Sequence, residues 1–276
     1  SSVGPYIGKF EKIFSKYTKL KNVVAVSNGT TALQLALSTL AIEKNDEVIV
    51  PNLTFAAPVN AVIHTGAKPV LAEVKKNTYC IDEKKIEKLI TKRTKAIIVV
   101  HLYGHPAEMV DILKIAKKHK IYLIEDCAEA LGSYYNSKHV GCFGDISTFS
   151  FFANKTITTG EGGILLLKER DDLEKALILR DHGMSSEKRY WHDVVGYNYR
   201  MTNLQAALGV AQLSRLESIV IRKIEISSVY TDLLNDCEQI ERLPIVDCEC
   251  RHSNWLYCVQ LRREIDSTKV VNQMLD

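Results

Sequence analysis

The chain lacks a strong charge of either sign. Its 36 lysines and arginines nearly offset 33 aspartates and glutamates, leaving a formal charge of +3. That is too little to imply nucleic-acid or membrane binding on electrostatic grounds. The densest basic run, KLITKRTK at 88–95, lies between a helical pattern and a strand and reads as a solvated helix end. Cysteine is present, with 7 residues, but no CxxC occurs, so neither a zinc ribbon nor a thioredoxin motif is supported. Cys248 and Cys250 stand too close for the usual zinc spacing, and His101 and His105 are separated by Gly104, with Pro106 following, which breaks any shared helical face. No metal is expected, and the thiols are expected to be reduced, as in a reducing compartment. No apolar run is long enough to cross a bilayer and no signal peptide opens the chain, so the expected location is cytoplasmic. Neither GxGxxG nor GxxxxGK[ST] occurs, so dinucleotide binding and nucleotide hydrolysis lose support. Low-complexity segments and internal repeats are absent as well.

What is there is a rhythm. Within 276 residues, 46% hydrophobic and 25% charged, short apolar runs alternate with helix-period segments. VVAV (23–26), DEVIV (46–50), KPVLAEV (68–74), KAIIVVH (95–101) and IYLIED (121–126) are strand-like, and amphipathic segments separate them. This is the signature of βαβ units and a largely parallel sheet. ISTFSFF (146–152) and GGILLLK (162–168) break the rhythm, being joined by a short loop alone. One long amphipathic helix is expected from Asn203 to Cys237, softened at Gly209. The expected division is a large domain over 1–216 and the start of a small α/β domain over 217–276, with both ends of the chain expected to be missing. A strand is expected in LPIVDCECRHSNWLYCVQL and a helix start in STKVVNQMLD.

Three loops after strands carry unusual residues, and in open parallel sheets ligands gather there. In SNGTTALQLAL (27–37), a tight turn opens a helix, whose free N–H groups and dipole favour a phosphate. The alternative is that Ser27 or Asn28 is merely a helix cap. In IEDCAEALG, Asp126 ends an apolar strand, where a carboxylate is costly unless paired. A metal, a protonated heterocycle or a helix cap would each account for it. In SFFANKTITTGEGG, Lys155 follows an apolar strand. Desolvation would lower its pKa and make it a nucleophile, unless the side chain simply snorkels to water. Taken together, a phosphate cradle, a buried acid and a desolvated lysine form the set that holds pyridoxal 5′-phosphate. Phe55 would offer its ring a stacking face, or else belongs to the core.

The stretches SNGTTALQLAL, VPNLTFAAPVNAV, IEDCAEALGS, FGDISTFSFFANKTITTGEGG and GYNYRMTNLQAALG, in this order, resemble the DegT/DnrJ/EryC1 family of pyridoxal-phosphate sugar aminotransferases. The resemblance runs from about Gly4 to the end of the chain and is most similar to the perosamine and viosamine branch. It implies fold type I, with a mostly parallel seven-stranded sheet between helices and a smaller C-terminal α/β domain that is incomplete here. It implies amination at C4 of a nucleotide-linked 4-keto-6-deoxyhexose, with L-glutamate as donor and pyridoxamine 5′-phosphate as the intermediate cofactor form. By motif, Lys155 matches the Schiff-base lysine and proton shuttle, and Asp126 the partner of the pyridine nitrogen. Gly29, Thr30 and Ser150 match the phosphate site, Phe55 the stacking aromatic, and Glu129 a residue against the ring. Asn198 resembles a residue that enters a neighbouring subunit's site, which implies a homodimer. Arg200, His182, Trp191 and His192 are candidates for the substrate pocket, with loop packing as the alternative. A C3 aminotransferase, a sugar dehydratase and a non-catalytic cofactor-binding regulator are the rival readings.

Overall fold

A computed structural model describes residues 3–242 and 250–275 of the chain. Its strands are β1 (Asn22–Val26), β2 (Glu47–Pro51), β3 (Lys68–Ala72), β4 (Thr94–Val100), β5 (Tyr122–Asp126), β6 (Tyr134–Tyr135), β7 (Lys138–His139), β8 (Ile146–Ser150), β9 (Gly163–Leu167), β10 (Ile240–Arg242), β11 (Cys250–Arg251) and β12 (Gln260–Leu261). The helices are α1 (Tyr6–Thr18), α2 (Gly29–Thr39), α3 (Ala56–His64), α4 (Glu83–Ile86), α5 (Met109–His119), α6 (Arg170–Arg180), α7 (Asn203–Leu213), α8 (Leu216–Leu234) and α9 (Ser267–Leu275). The main sheet has seven strands in the order β1-β9-β8-β5-β4-β2-β3. Only β9 runs against its neighbours, pairing antiparallel with both β1 and β8.

Strand side chains alternate between faces, and this sheet buries both. In β1, Val24 and Val26 join one core while Val23 and Ala25 join the other. In β4, Ala96, Ile98 and Val100 face the first core, and Ile97 and Val99 a third cluster behind it. Helices α2, α3 and α6 cover the first face, while α1, α7 and the start of α8 cover part of the second. β1, β2, β4 and β9 therefore read as near-continuous apolar runs, with no polar alternation to reveal which residue faces which layer.

The expected single helix from Asn203 to Cys237 is two helices. α7 ends at Leu213 and α8 begins at Leu216. Gly209 is not the break. It sits within α7, where a β-carbon would approach the Phe10 ring to 2.7 Å, so its bare backbone lets α7 press onto α1. α7 starts with a reciprocal cap, in which Thr202 and Gln205 satisfy each other's backbone N–H groups.

The expected C-terminal strand falls partly on 243–249, outside the described residues, as does Cys248. β11 and β12 flank the rest, and β11 pairs with β6 in a separate three-stranded sheet, β11-β6-β7, that ties this segment to the chain between β5 and β8. Cys80, Cys127, Cys142, Cys237 and Cys258 are free thiols. Among the described residues, no helix is long and apolar enough to cross a membrane.

Candidate active site

Strand parity brings the polar strand ends together. Ile124 in β5 and Ile146 in β8 face the first core, so Asp126 and Ser150, an even number of residues on, project to that same face. The N-terminus of α2 covers it, because α2 follows β1 through the turn at Ser27 and Asn28. The result is a cavity of about 470 Å³ lined by Gly29, Thr30, Phe55, Asp126, Glu129, Ser150 and Lys155.

The α2 N-terminus is both capped and available. The Asn28 side chain accepts from the Thr31 N–H at 2.9 Å, and Thr31 Oγ1 accepts from the Asn28 N–H, so Asn28 is indeed a cap. That cap leaves the N–H groups of Gly29 and Thr30 pointing out of the first turn. A β-carbon on Gly29 would lie 2.7 Å from Ser150 Cβ, so only glycine lets the helix end close on the end of β8. Gly163 serves the same approach, since its β-carbon would sit 2.5 Å from the Asn28 carbonyl oxygen. Phe55, at the N-cap of α3, is 72% exposed and lines the cavity, which excludes the core alternative.

The electrostatics of the cavity are set by burial. Lys155 follows β8 in a turn closed by its own N–H to the Phe152 carbonyl. Its side chain is 14% exposed, and burial pulls its pKa below the ordinary lysine value against the attraction of Glu129 and Asp126. Burial raises the pKa of Asp126, opposed by the Ala128 N–H at 3.0 Å and by Lys155. Glu129 is raised for the same first reason. Its Oε2 accepts from the Tyr103 N–H at 2.8 Å, and its Oε1 lies 3.8 Å from Lys155 Nζ. A buried acid aimed into a cavity calls for a cationic partner. A glycine-cleared helix N-terminus calls for an anion, and an exposed ring for a flat surface. These demands converge on a phosphorylated, protonated heterocycle, and the residues present fit pyridoxal phosphate.

His182, Trp191, His192, Asn198 and Arg200 do not line this cavity within the chain. They share an outer segment, 181–200, bridged at Asp181–Asn198 and Met184–His192. Arg200 pairs with Asp181 at 2.7 Å, and His192 Nδ1 meets the His182 carbonyl at 3.0 Å. Trp191 is 55% exposed and carries the Lys188 amine over its ring.

A further buried group, His101, Glu125 and Cys127, holds ligand-type atoms within 4.8 Å of one another. His101 Nδ1 accepts from the Ala107 N–H, which leaves Nε2–H to donate to Glu125. Glu125 also accepts from the N–H groups of Gly141, Phe143 and Gly144. His101 and Glu125 are thus a satisfied hydrogen-bonded pair behind the sheet, with the Cys127 thiol buried beside them. Sequence reasoning missed Trp255, which lies in the cavity wall 100 residues beyond Lys155. Being one of 2 tryptophans was the only hint.

The comparisons with known proteins converge on one family. GDP-perosamine synthase of Escherichia coli O157:H7 is 45% identical over 276 residues, which is all of this chain and 75% of that protein. A UDP-N-acetyl-3-dehydro-alpha-D-glucosamine 3-aminotransferase of Acidithiobacillus ferrooxidans is 46% identical over 194 residues, or 70% of this chain and 52% of its own length. The crystal structure of S. venezuelae DesV in complex with a ketimine intermediate superposes with a TM-score of 0.93 at 34% identity, covering 99% of this chain and 73% of that one. The model of the DegT/DnrJ/EryC1/StrS aminotransferase family matches residues 1–276. The chain therefore belongs to the DegT/DnrJ/EryC1/StrS aminotransferase family, and is a pyridoxal-phosphate-dependent aminotransferase.

Proposed function

We propose that the enzyme transfers an amino group to C4 of a nucleotide-linked 4-keto-6-deoxyhexose, giving the 4-amino-4,6-dideoxy sugar. L-glutamate is the amino donor, and two copies of the chain form a homodimer with shared active sites. The observation that carries this reading is the 45% identity to a GDP-perosamine synthase over the whole chain. The cavity supports it by supplying a group for each task such a reaction sets.

When bound, pyridoxal phosphate supplies an electron sink beside the transferred nitrogen. Gly29, Thr30 and Ser150 hold its phosphate at the α2 N-terminus. Asp126 holds the proton of the ring nitrogen, and that positive partner offsets the burial that otherwise disfavours the carboxylate. Phe55 covers a ring face. Lys155 works twice. Its lowered pKa keeps a fraction of the amine neutral and nucleophilic for covalent attachment. Once released, it shuttles the proton between the cofactor and the sugar carbon as general base and acid, and between the donor carbon and the cofactor in the preceding half-reaction. Asn198 and its segment reach the neighbouring copy's cavity.

The 46% identity to a 3-aminotransferase favours a second reading, amination at C3. One experiment tests both. The enzyme is supplied with L-glutamate and, in turn, GDP-4-keto-6-deoxymannose, UDP-4-keto-6-deoxyglucose and dTDP-4-keto-6-deoxyglucose. We expect the GDP sugar to give the highest kcat/KM and nitrogen at C4 of the product. Nitrogen at C3, or no turnover of any 4-keto sugar, overturns the proposal.

A further inference from the structure

Lys155 must carry a positive charge in a place that disfavours one. As a proton shuttle it works once in each half of the reaction, moving a proton from the donor carbon to the cofactor and later one from the cofactor to the sugar carbon, and it is an ammonium between each uptake and delivery. Between these events the charge stands in a cavity whose burial works against it. The structure places two groups against that charge. Glu129 Oε1 is 3.8 Å from Nζ. The Trp255 ring lies beneath Nζ, its centroid 4.0 Å away, within the range of a cation–π contact.

Neither group stands there by accident of a loose loop. Trp255 Nε1–H donates to the carbonyl of Asn154, the residue before Lys155, at 2.8 Å. The segment carrying it is stitched down on both sides. β11 pairs with β6, the Ser253 N–H donates to Ser133 Oγ at 3.1 Å, and Ser133 Oγ–H donates to the Gly104 carbonyl at 2.7 Å. Gly104 makes the approach possible. A β-carbon there would lie 2.7 Å from Ser253 Oγ and 3.0 Å from the backbone nitrogens of Asn254 and Trp255. The same turn aims the other partner, since Tyr103, held at φ 57, donates its N–H to Glu129. A left-handed backbone is uncommon for a residue with a β-carbon, and here it turns one strand-end loop into the mount for both groups.

We propose that Trp255 and Glu129 are positioning residues that form a holding site for the Lys155 ammonium, keeping it over the cavity while it carries the shuttled proton. The division of labour is chemical. The indole face attracts the cation but has no lone pair in place to take its proton. Glu129 supplies formal negative charge, while its second oxygen is occupied by Tyr103. Asp126 and Glu161 are the other acids lining the cavity, and Asp126 adds attraction from the β5 end. The inference rests on the reading of Lys155 as the covalent anchor and shuttle.

The test uses the full chain loaded with pyridoxamine 5′-phosphate, in which Lys155 is free. Trace labelling with acetic anhydride from neutral to alkaline pH, read on the Lys155 peptide by mass spectrometry, gives a midpoint and a plateau. We expect Trp255→Leu and Glu129→Gln each to move the midpoint to lower pH. Labelling at a fixed pH below the midpoint would then be roughly threefold faster or more, from the usual strength of a cation–π contact. Trp255→Phe, which keeps a ring but not the indole N–H, retains most of the wild-type midpoint. A change of plateau with unmoved midpoints means that Trp255 and Glu129 only shield the amine, and overturns the holding site. Borohydride trapping of the pyridoxal-phosphate-loaded wild type separates the two failures. Attachment at Lys155 with insensitive midpoints removes the holding site alone, whereas attachment elsewhere or nowhere removes the anchor beneath it.

Discussion

The cavity at the ends of β5 and β8 and the outer segment 181–200 carry the two halves of the predicted site, and they are built on opposite principles. In the cavity, three titratable groups are buried against partners from the same chain: Lys155 against Glu129, Glu129 against Tyr103, Asp126 against the Ala128 N–H. In the outer segment, large side chains stand in solvent, with Tyr190 73% and Val195 93% exposed. A region that tunes its acids and bases by burial can act within one chain. A region that leaves aromatic and aliphatic surface uncovered suits burial against a partner, and in the proposed homodimer that partner is a second copy.

The sharpest way to break this comparison is at Lys155. Lys155→Ala removes both the nucleophile and the proton carrier, and turnover should fall by roughly a thousandfold or more. The variant should also lose the visible absorbance of lysine-bound pyridoxal phosphate. Turnover at the wild-type rate would end its assignment as the anchor. The next effect asks whether the outer segment serves another copy. Asn198→Ala should be strongly impaired on its own. Co-expressed with Lys155→Ala, it should recover about a quarter of wild-type activity, because random pairing gives hybrid dimers with one intact site. A mixture no more active than its two parents would place both residues in the same chain's site, or Asn198 in none. A smaller loss is expected at Gly29→Ala. The added methyl group meets Ser150 at 2.7 Å, and overpacking of this kind costs about 1–3 kcal/mol. Because the collision lies on the phosphate cradle, cofactor affinity measured by fluorescence titration should fall along with stability. Stability loss with unchanged affinity would mean that the phosphate sits elsewhere.

Much of this was legible in the sequence because it is local. The strands, the α2 turn, the acid closing β5 and the lysine after β8 are each a few consecutive residues, and the alternatives that each loop left open narrow when the three are taken together. Partnership across the fold was not legible. Nothing near HSNWLYC indicates that Trp255 stands over an amine 100 residues upstream. That meeting depends on β11 finding β6 and on Gly104 leaving room. The break between α7 and α8 was hidden because Leu213 and Leu216 are both core residues, so apolar character continues across it. Gly209 drew attention for its helix propensity, while its real constraint is the Phe10 ring on another helix. The faces of Glu125 and Asp126 were likewise hidden. Both are buried acids in one strand, and strand parity alone sends one to His101 and the other to the cavity.

The smallest expected effect bears on what the cavity costs the fold. Lys155 has a native pKa below its unfolded value near 10.5. The unfolded chain therefore binds more protons between those two values, and stability rises with pH across that window. Read downward, the contribution present above the unfolded pKa is lost as pH falls through the native one. At neutral pH the wild-type protein thus carries the penalty of a buried ammonium that Glu129 and Asp126 do not fully offset. Lys155→Met keeps an unbranched stem in the same space without the charge. In the cofactor-free proteins it should raise the Tm at neutral pH by roughly 2–4 °C, at the expense of all activity. The gain should shrink as pH rises toward the unfolded pKa, because the wild-type amine then sheds its proton in the native state first. A gain that is flat with pH would trace to packing alone. A loss at neutral pH would mean that the attraction of the two acids outweighs burial, reversing the sign on which the nucleophilic role of Lys155 depends.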